Sequence, residues 1–161
     1  RLLTEDKQID LFPSIYQEAL AELQPPRIDA KQLSLISRRH LRSSNSWLHN
    51  SYRMVKGKEI CTALIHPKDA EKHGVEDGKM IEITSRVGKI NILAEVSDEV
   101  NIGTVSIPHG WGHDKEGIQM RVAQAHAGAS INDLIDDERV DKLSGVAAMT
   151  GTPIMIKSVD G

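Results

Sequence analysis

The sequence has one cysteine, few aromatic side chains and no apolar run of the roughly 20 residues needed to cross a bilayer. Each shortage excludes something. Cys61 has no partner for a disulfide, and its setting in CTALI reads as a buried core thiol in a reducing, cytoplasmic environment. Aromatics make up 3%, so the core has to come from Val, Ile, Leu and Ala. No basic-then-apolar leader precedes the body of the chain. The chain opens on Arg1 and on amphipathic sequence, as expected of a piece of a longer polypeptide. What is present is a globular composition, 39% hydrophobic and 27% charged, over 161 residues. That length suits one domain with a sizeable core and is short for two.

Acidic residues are missing where basic ones concentrate. Residues 31–58 hold seven Lys or Arg and no Asp or Glu; since the whole chain carries −3, the remainder carries −10. A basic segment in an acidic protein reads as a local anion site rather than a nucleic-acid surface, which goes with a basic domain. A solvated basic loop is the plainer reading.

Phe12, Ile15, Tyr16, Ala19, Leu20 and Leu23 recur at helical spacing. They predict an amphipathic helix over 11–24, with Pro13 in its first turn and Pro25-Pro26 as its stop. This helix packs either on its own domain or on one outside this chain. Short β segments then dominate: 33–37, 61–65, the alternating strand after the Asp77-Gly78 turn, KINILAEV, GTVSIPHGW at 103–111 and TPIMIKSV at 152–159. HPKDAEKHG is a short helix, with Pro67 at its first position and Gly74 past its end. Residues 131–143, INDLIDDERVDKL, read as helical. About six strands with no β-α-β rhythm favour a barrel or closed sheet over a doubly wound fold. The simplest parse is a lead-in over 1–30 and one domain over 31–161.

Three segments carry candidate chemistry. In 37–51, Arg38, Arg39 and Arg42 can donate to phosphate oxygens, and Ser43, Ser44, Asn45 and Ser46 reach a ligand or their own backbone. Asn45 can also read a base edge. The spacing is neither a P-loop nor a Rossmann turn. In 107–117, His109 and His113 flank Trp111 between glycines. Metal ligation, ring stacking and ordinary loop structure all remain open, though zinc lacks further ligands at a plausible spacing. In 125–137, Gly128 and Asn132 frame a turn that offers N–H groups to an anion, or Ser130 or Asn132 simply caps a helix. No spacing marks a triad, a carboxylate pair or an activated nucleophile.

In this order, LISRRHLRSSNSWLHN, LIHPKDAEKHGVEDGKMIEITSRVGKINILAEVSDEVNIGTVSIPHGWGH and NDLIDDERVDKLSG resemble a known family. It is the molybdopterin-dinucleotide-binding C-terminal domain of the dimethyl-sulfoxide reductase and formate dehydrogenase superfamily. The resemblance covers about residues 32–157, and NSW and HGWGH look closer to formate-dehydrogenase-like members. It implies a mainly β domain with short helices, a double-psi β-barrel of the aspartate-decarboxylase-like kind. The implied role is to bind the guanine-dinucleotide arms of a molybdopterin guanine dinucleotide cofactor within a larger oxidoreductase. Molybdenum or tungsten would be ligated outside this chain, which itself supplies no metal ligand and no catalytic residue. The implied partners are the remaining domains and an electron-transfer subunit, with no nucleic acid and no membrane. By the resemblance, the first cofactor loop carries Ser37, Arg38, Arg39, His40, Arg42, Ser44, Asn45 and Ser46. The second carries His109, Trp111 and His113, and Asn132 matches a third contact. Two positions depart from the family pattern: Leu134-Ile135 replaces Leu-Thr, and Met149-Thr150 follow Ser144-Gly145 where an aromatic and a basic residue are usual. An adaptor binding protein or peptide on the same barrel is the alternative. A self-processing decarboxylase needs a Gly-Ser pair, and the sequence has none.

Overall fold

The computed structural model describes residues 3–23, 29 and 31–159. Six strands form the body: β1 (Leu33–Arg38), β2 (Thr62–Ile65), β3 (Met80–Thr84), β4 (Lys89–Val96), β5 (Thr104–Pro108) and β6 (Thr152–Ser158). They close into a barrel in the order β1-β5-β2-β4-β3-β6, with β6 returning to β1. Two neighbouring pairs, β1 with β5 and β2 with β4, run parallel, and the other four are antiparallel. A parallel pair cannot be joined by a hairpin, so the chain must cross the barrel between its members. The two interlocked crossings make this the double-psi β-barrel that the resemblance implied.

Alternation dictates the interior. Ile81 and Ile83 point in while Met80 and Glu82 do not, and β4 and β6 bury Ile90, Ile92, Ala94, Ile154 and Ile156 in the same rhythm. Each buried Ile, Leu or Val contributes about 1.5–3 kcal/mol of transfer free energy. Trp111 is the one aromatic side chain in this core among the described residues. Between β2 and β3 lies α3 (Pro67–His73), started by Pro67 and ended by Gly74 at φ 63°. Its buried Asp69 accepts from the Gly103 N–H at 2.6 Å, tying the helix to the start of β5. Two other short helices, α2 (Tyr52–Val55) and α4 (Arg121–Ala125), sit in the long connections.

Two expectations need correction or restriction. Residues 131–143 are not a helix: a single 3-10 turn spans Ile131–Leu134. The reason is what has to be buried. Ile131, Leu134 and Asp136 all face inward, and on one helix Leu134 and Asp136 would lie about 200° apart. The helix α1 (Ser14–Glu22) does form, but none of its residues is buried, and Ile15, Tyr16 and Leu20 remain exposed. Pro25-Pro26, its expected stop, lies outside the described residues. No described helix is long and apolar enough to cross a membrane.

Candidate functional site: two loops at one end of the barrel

Because β1 and β5 are parallel neighbours in register, with Arg38 opposite Pro108, the loops that follow them leave the barrel side by side. The His109 N–H donates to the Arg38 carbonyl at 3.0 Å, so the two loops begin as hydrogen-bonded partners. The topology thus joins two segments that three intervening strands separate in the sequence.

Arg38 itself turns onto the barrel. Its Nη1 donates to Ser106 O, and its Nη2 to Thr62 O (2.8 Å) and Thr62 Oγ1 (3.0 Å), linking β1 to β5 and β2. The Thr62 hydroxyl in turn donates a hydrogen bond to Glu95 at 2.5 Å. Burial lowers the Arg38 pKa, and the Glu95 charge opposes that shift. The remaining donor, Nε, reaches His40 Nε2 at 3.1 Å. A guanidinium can only donate, so His40 must present a lone pair at Nε2 and carry its proton at Nδ1. That Nδ1 is buried and has no partner. Burial, then the Arg38 charge, holds the His40 pKa below the ordinary imidazole value. His109 repeats the pattern across the gap: its Nδ1 is also buried without a partner, and its pKa is lowered by burial and then by Arg39. Buried polar atoms without partners are uncommon; among the described residues His49 Nε2, His73 Nε2, Trp111 Nε1 and Thr152 Oγ1 share that state.

The first loop bends at Ser44 and Asn45, both left-handed, with φ 43° and 60°. Asn tolerates that region; Ser does so at a cost of about 1 kcal/mol, and such strain concentrates at binding loops. The second loop packs on this bend backbone to backbone: a Cβ on Gly110 would sit 2.3 Å from Asn45 O. Beneath both loops lies a buried cluster. His49 packs tilted against Trp111 with centroids 4.2 Å apart and meets His113 edge-on, His49 Nδ1 being 2.7 Å from His113 Nε2.

The third segment closes the cluster from the other side. The Gly112 N–H donates to Ala127 O at 2.7 Å, and Gly128 packs so closely on Trp111 and Cys61 that a Cβ there would meet both. Asn50 Oδ1 accepts from the N–H groups of Val122 and Ala123, capping α4 from the first loop. Cys61 accepts from the Ala129 N–H at 3.3 Å, and burial pushes its thiol up to about 11.

The expected residues therefore fall into groups. Arg39, Arg42, Ser44, Asn45 and Asn132 are exposed, and Ser37, Arg38, His40, Ser46 and His109 are partly buried. Trp111 and His113 are buried beneath the loops. Arg42 directs one nitrogen to Arg53 O at 2.8 Å, at the end of α2. Asn132 stands in the 3-10 turn that follows Ser130, the residue against Gly112. Sequence reasoning missed His49, Asn50 and Thr62. The signal available for His49 was a His in the first loop with a Trp and two His in the second, side chains that pack well on one another. Among the described residues, no group of three or more His, Cys, Asp or Glu could hold a metal ion.

Comparison with known proteins bears on this geometry. Residues 33–153 match the family model described as "Molydopterin dinucleotide binding domain". The molybdopterin-containing subunit of an arsenate respiratory reductase from Shewanella sp. (strain ANA-3) is 35% identical over 115 residues, 68% of this chain and 13% of that protein. A dimethyl sulfoxide/trimethylamine N-oxide reductase from Cereibacter sphaeroides is 36% identical over 78 residues, 48% of this chain and 9% of that protein. The solved structure of acetylene hydratase from Pelobacter acetylenicus shares the barrel, with TM-score 0.67 and 21% identity over 91% of this chain and 20% of that one. The chain spans well under a quarter of each of these relatives.

Proposed function

Given that this chain belongs to the molybdopterin dinucleotide-binding domain family of the dimethyl-sulfoxide reductase type, and so takes a molybdopterin cofactor, we propose that its two barrel-end loops clamp the guanine nucleotide of that cofactor. The observation that supports this reading is the pair of buried, partnerless imidazole nitrogens, His40 Nδ1 and His109 Nδ1, one in each of two loops that start as hydrogen-bonded neighbours. The donor set suits a pyrophosphate. His40 offers an N–H with no other acceptor, Arg39 and Arg42 supply positive charge at the rim, and the Ser44-Asn45 bend presents short polar side chains. Asn45 is the side chain assigned to the guanine edge, and Asn132 flanks the second loop. Arg38 acts by fixing the His40 tautomer, and Trp111 and His113 act from below by shaping the second loop.

When bound, the cofactor would supply redox chemistry at a molybdenum or tungsten held outside this chain. This chain's residues bind and orient its nucleotide end. The parent protein is accordingly a molybdopterin-dependent oxidoreductase, with an electron-transfer subunit as a further partner and a cytoplasmic setting that suits the free thiol.

The test is an NMR titration of this chain with GDP, with ADP and Arg39→Ala as controls. GDP-selective shifts confined to 37–49 and 107–113, weakened by the substitution, are expected. An unchanged spectrum at millimolar GDP refutes the clamp on this chain and puts the protein-binding adaptor ahead.

A further inference from the structure

Of the four imidazoles in the two loops, His49 is the one with no role so far. It is 1% exposed, at the base of the first loop. Its Nδ1 lies 2.7 Å from His113 Nε2, and that same Nε2 lies 3.1 Å from the Gly110 carbonyl oxygen. The carbonyl can only accept, so the tautomer that keeps this second contact has the His113 proton on Nε2, shared between Gly110 O and His49 Nδ1, and leaves the His49 proton on Nε2, which is buried without a partner. His49 is thereby fixed as an acceptor at Nδ1, with its own proton at Nε2 and its ring tilted against Trp111. A protonated His49 keeps this contact only if His113 shifts its proton to Nδ1 and gives up Gly110 O. The groups facing the ring agree. Burial, then His113, then His40 hold the His49 pKa down to about 4.

We propose that His49 is a positioning residue of the nucleotide clamp: as a neutral acceptor for His113 it locks the 109–113 loop onto the 38–50 loop and sets the gap in which the nucleotide sits. The inference rests on the clamp reading above. It adds a residue that does not touch the nucleotide and that acts through a hydrogen bond spanning 64 residues of sequence. The lock also explains why Gly110 can lie on Asn45: its carbonyl is held from below while its α-carbon faces the bend.

Three variants separate the lock from bulk and from folding. His49→Gln keeps an oxygen that can accept from His113, His49→Phe keeps a ring on Trp111 without an acceptor, and His49→Ala removes both. GDP affinity, amide hydrogen exchange and long-range ¹⁵N–¹H imidazole spectra are measured on each. The Gln variant should bind GDP within about twofold of the parent chain. The Phe and Ala variants should bind roughly tenfold more weakly, the effect of losing one buried hydrogen bond while His113 keeps only Gly110 O. Exchange should rise in 43–49 and 109–113 and stay unchanged in β3 and β4. Below about pH 5 the parent chain should lose affinity relative to the Gln variant, as His49 takes up its proton. A Phe variant that binds like the parent overturns the proposal, as does exchange that rises equally through the barrel. If the parent chain binds no GDP, the clamp reading fails by itself. The lock is then judged on the spectra, and both rings protonated at Nε2 with loops opened by Phe would uphold it. Loops still protected in the Phe variant would sink it.

Discussion

Gly110→Ala probes the join between the loops most directly. The added Cβ meets Asn45 O at 2.3 Å, Asn45 C at 2.5 Å and Ser46 N at 3.0 Å, all backbone atoms that cannot swing aside. Ordinary carbon–oxygen contact is about 3.3–3.5 Å, so the loops must part by about 1 Å. Position 110 also has φ +88°, where a side chain costs about 1–2 kcal/mol before any contact is counted. Parting the loops weakens the hydrogen bond from His113 to the Gly110 carbonyl, adding about 1–2 kcal/mol for a poorly satisfied buried donor. The total is about 3 kcal/mol, or roughly 6–12 °C in Tm for a chain of this size. Gly103→Ala is the control. It has φ +80° with nothing within 4 Å, so it carries the backbone strain alone, about 1–2 kcal/mol. Urea unfolding followed by tryptophan fluorescence gives both values, and a GDP titration gives the second readout. Gly110→Ala should lose binding at least tenfold while Gly103→Ala keeps it. Equal destabilisation by the two substitutions, or unaltered GDP binding in Gly110→Ala, would refute the packing argument.

Other substitutions test the remaining parts. Arg38→Ala should lower stability by about 2–4 kcal/mol in denaturant unfolding, since Ser106 O and Thr62 O lose their donor. Arg39→Ala should change stability by less than about 0.5 kcal/mol and weaken GDP binding by about 1.5–3 kcal/mol; the reverse pattern would exchange their roles. Arg86 holds buried Asp136 through Nε at 2.5 Å and Nη2 at 2.6 Å, keeping that carboxyl below its ordinary range. A lowered carboxylate pKa contributes stability above its unfolded value and loses it as pH falls through the folded one. The Tm deficit of Arg86→Met should therefore be largest near neutrality and shrink below about pH 4; a pH-independent deficit would count against the pairing. Cys61, with its thiol pushed up to about 11, should resist a thiol reagent at pH 8 until the barrel is unfolded in urea. Prompt labelling of the folded chain would contradict its burial.

Alternation made the barrel legible from sequence. The Ile81, Ile83, Ile90 and Ile92 pattern and the Pro67 and Gly74 punctuation are local signals, and the strands and α3 lie where those signals point. The 131–143 segment misled because its periodicity is real for Ile131 and Leu134, while Asp136 is drawn inward by Arg86, which no local pattern records. The α1 periodicity likewise revealed an apolar face without revealing what covers it. The loops stood out by composition, but three arginines in five residues look alike on paper. Only the fold separates Arg38, bound to barrel carbonyls, from exposed Arg39. The pairing of His49 with His113 depends on the parallel register of β1 and β5, so it was invisible until the strands were placed.

That parallel register also has a bearing on how the chain folds. Pairing Ser34 with Thr104 requires everything between them to have been threaded across the barrel, and β6 must still arrive to complete β1. Such long-range closure is entropically expensive and slow, and it comes late in folding. The two loops have no reason to meet in a half-assembled chain. A nucleotide can therefore neither template the early steps nor be captured by an unfinished molecule. It can only withdraw finished barrels from the unfolding equilibrium, by mass action. On the clamp proposed above, the cofactor's nucleotide would act as an inspector of assembly, stabilising only chains in which β6 has closed the barrel.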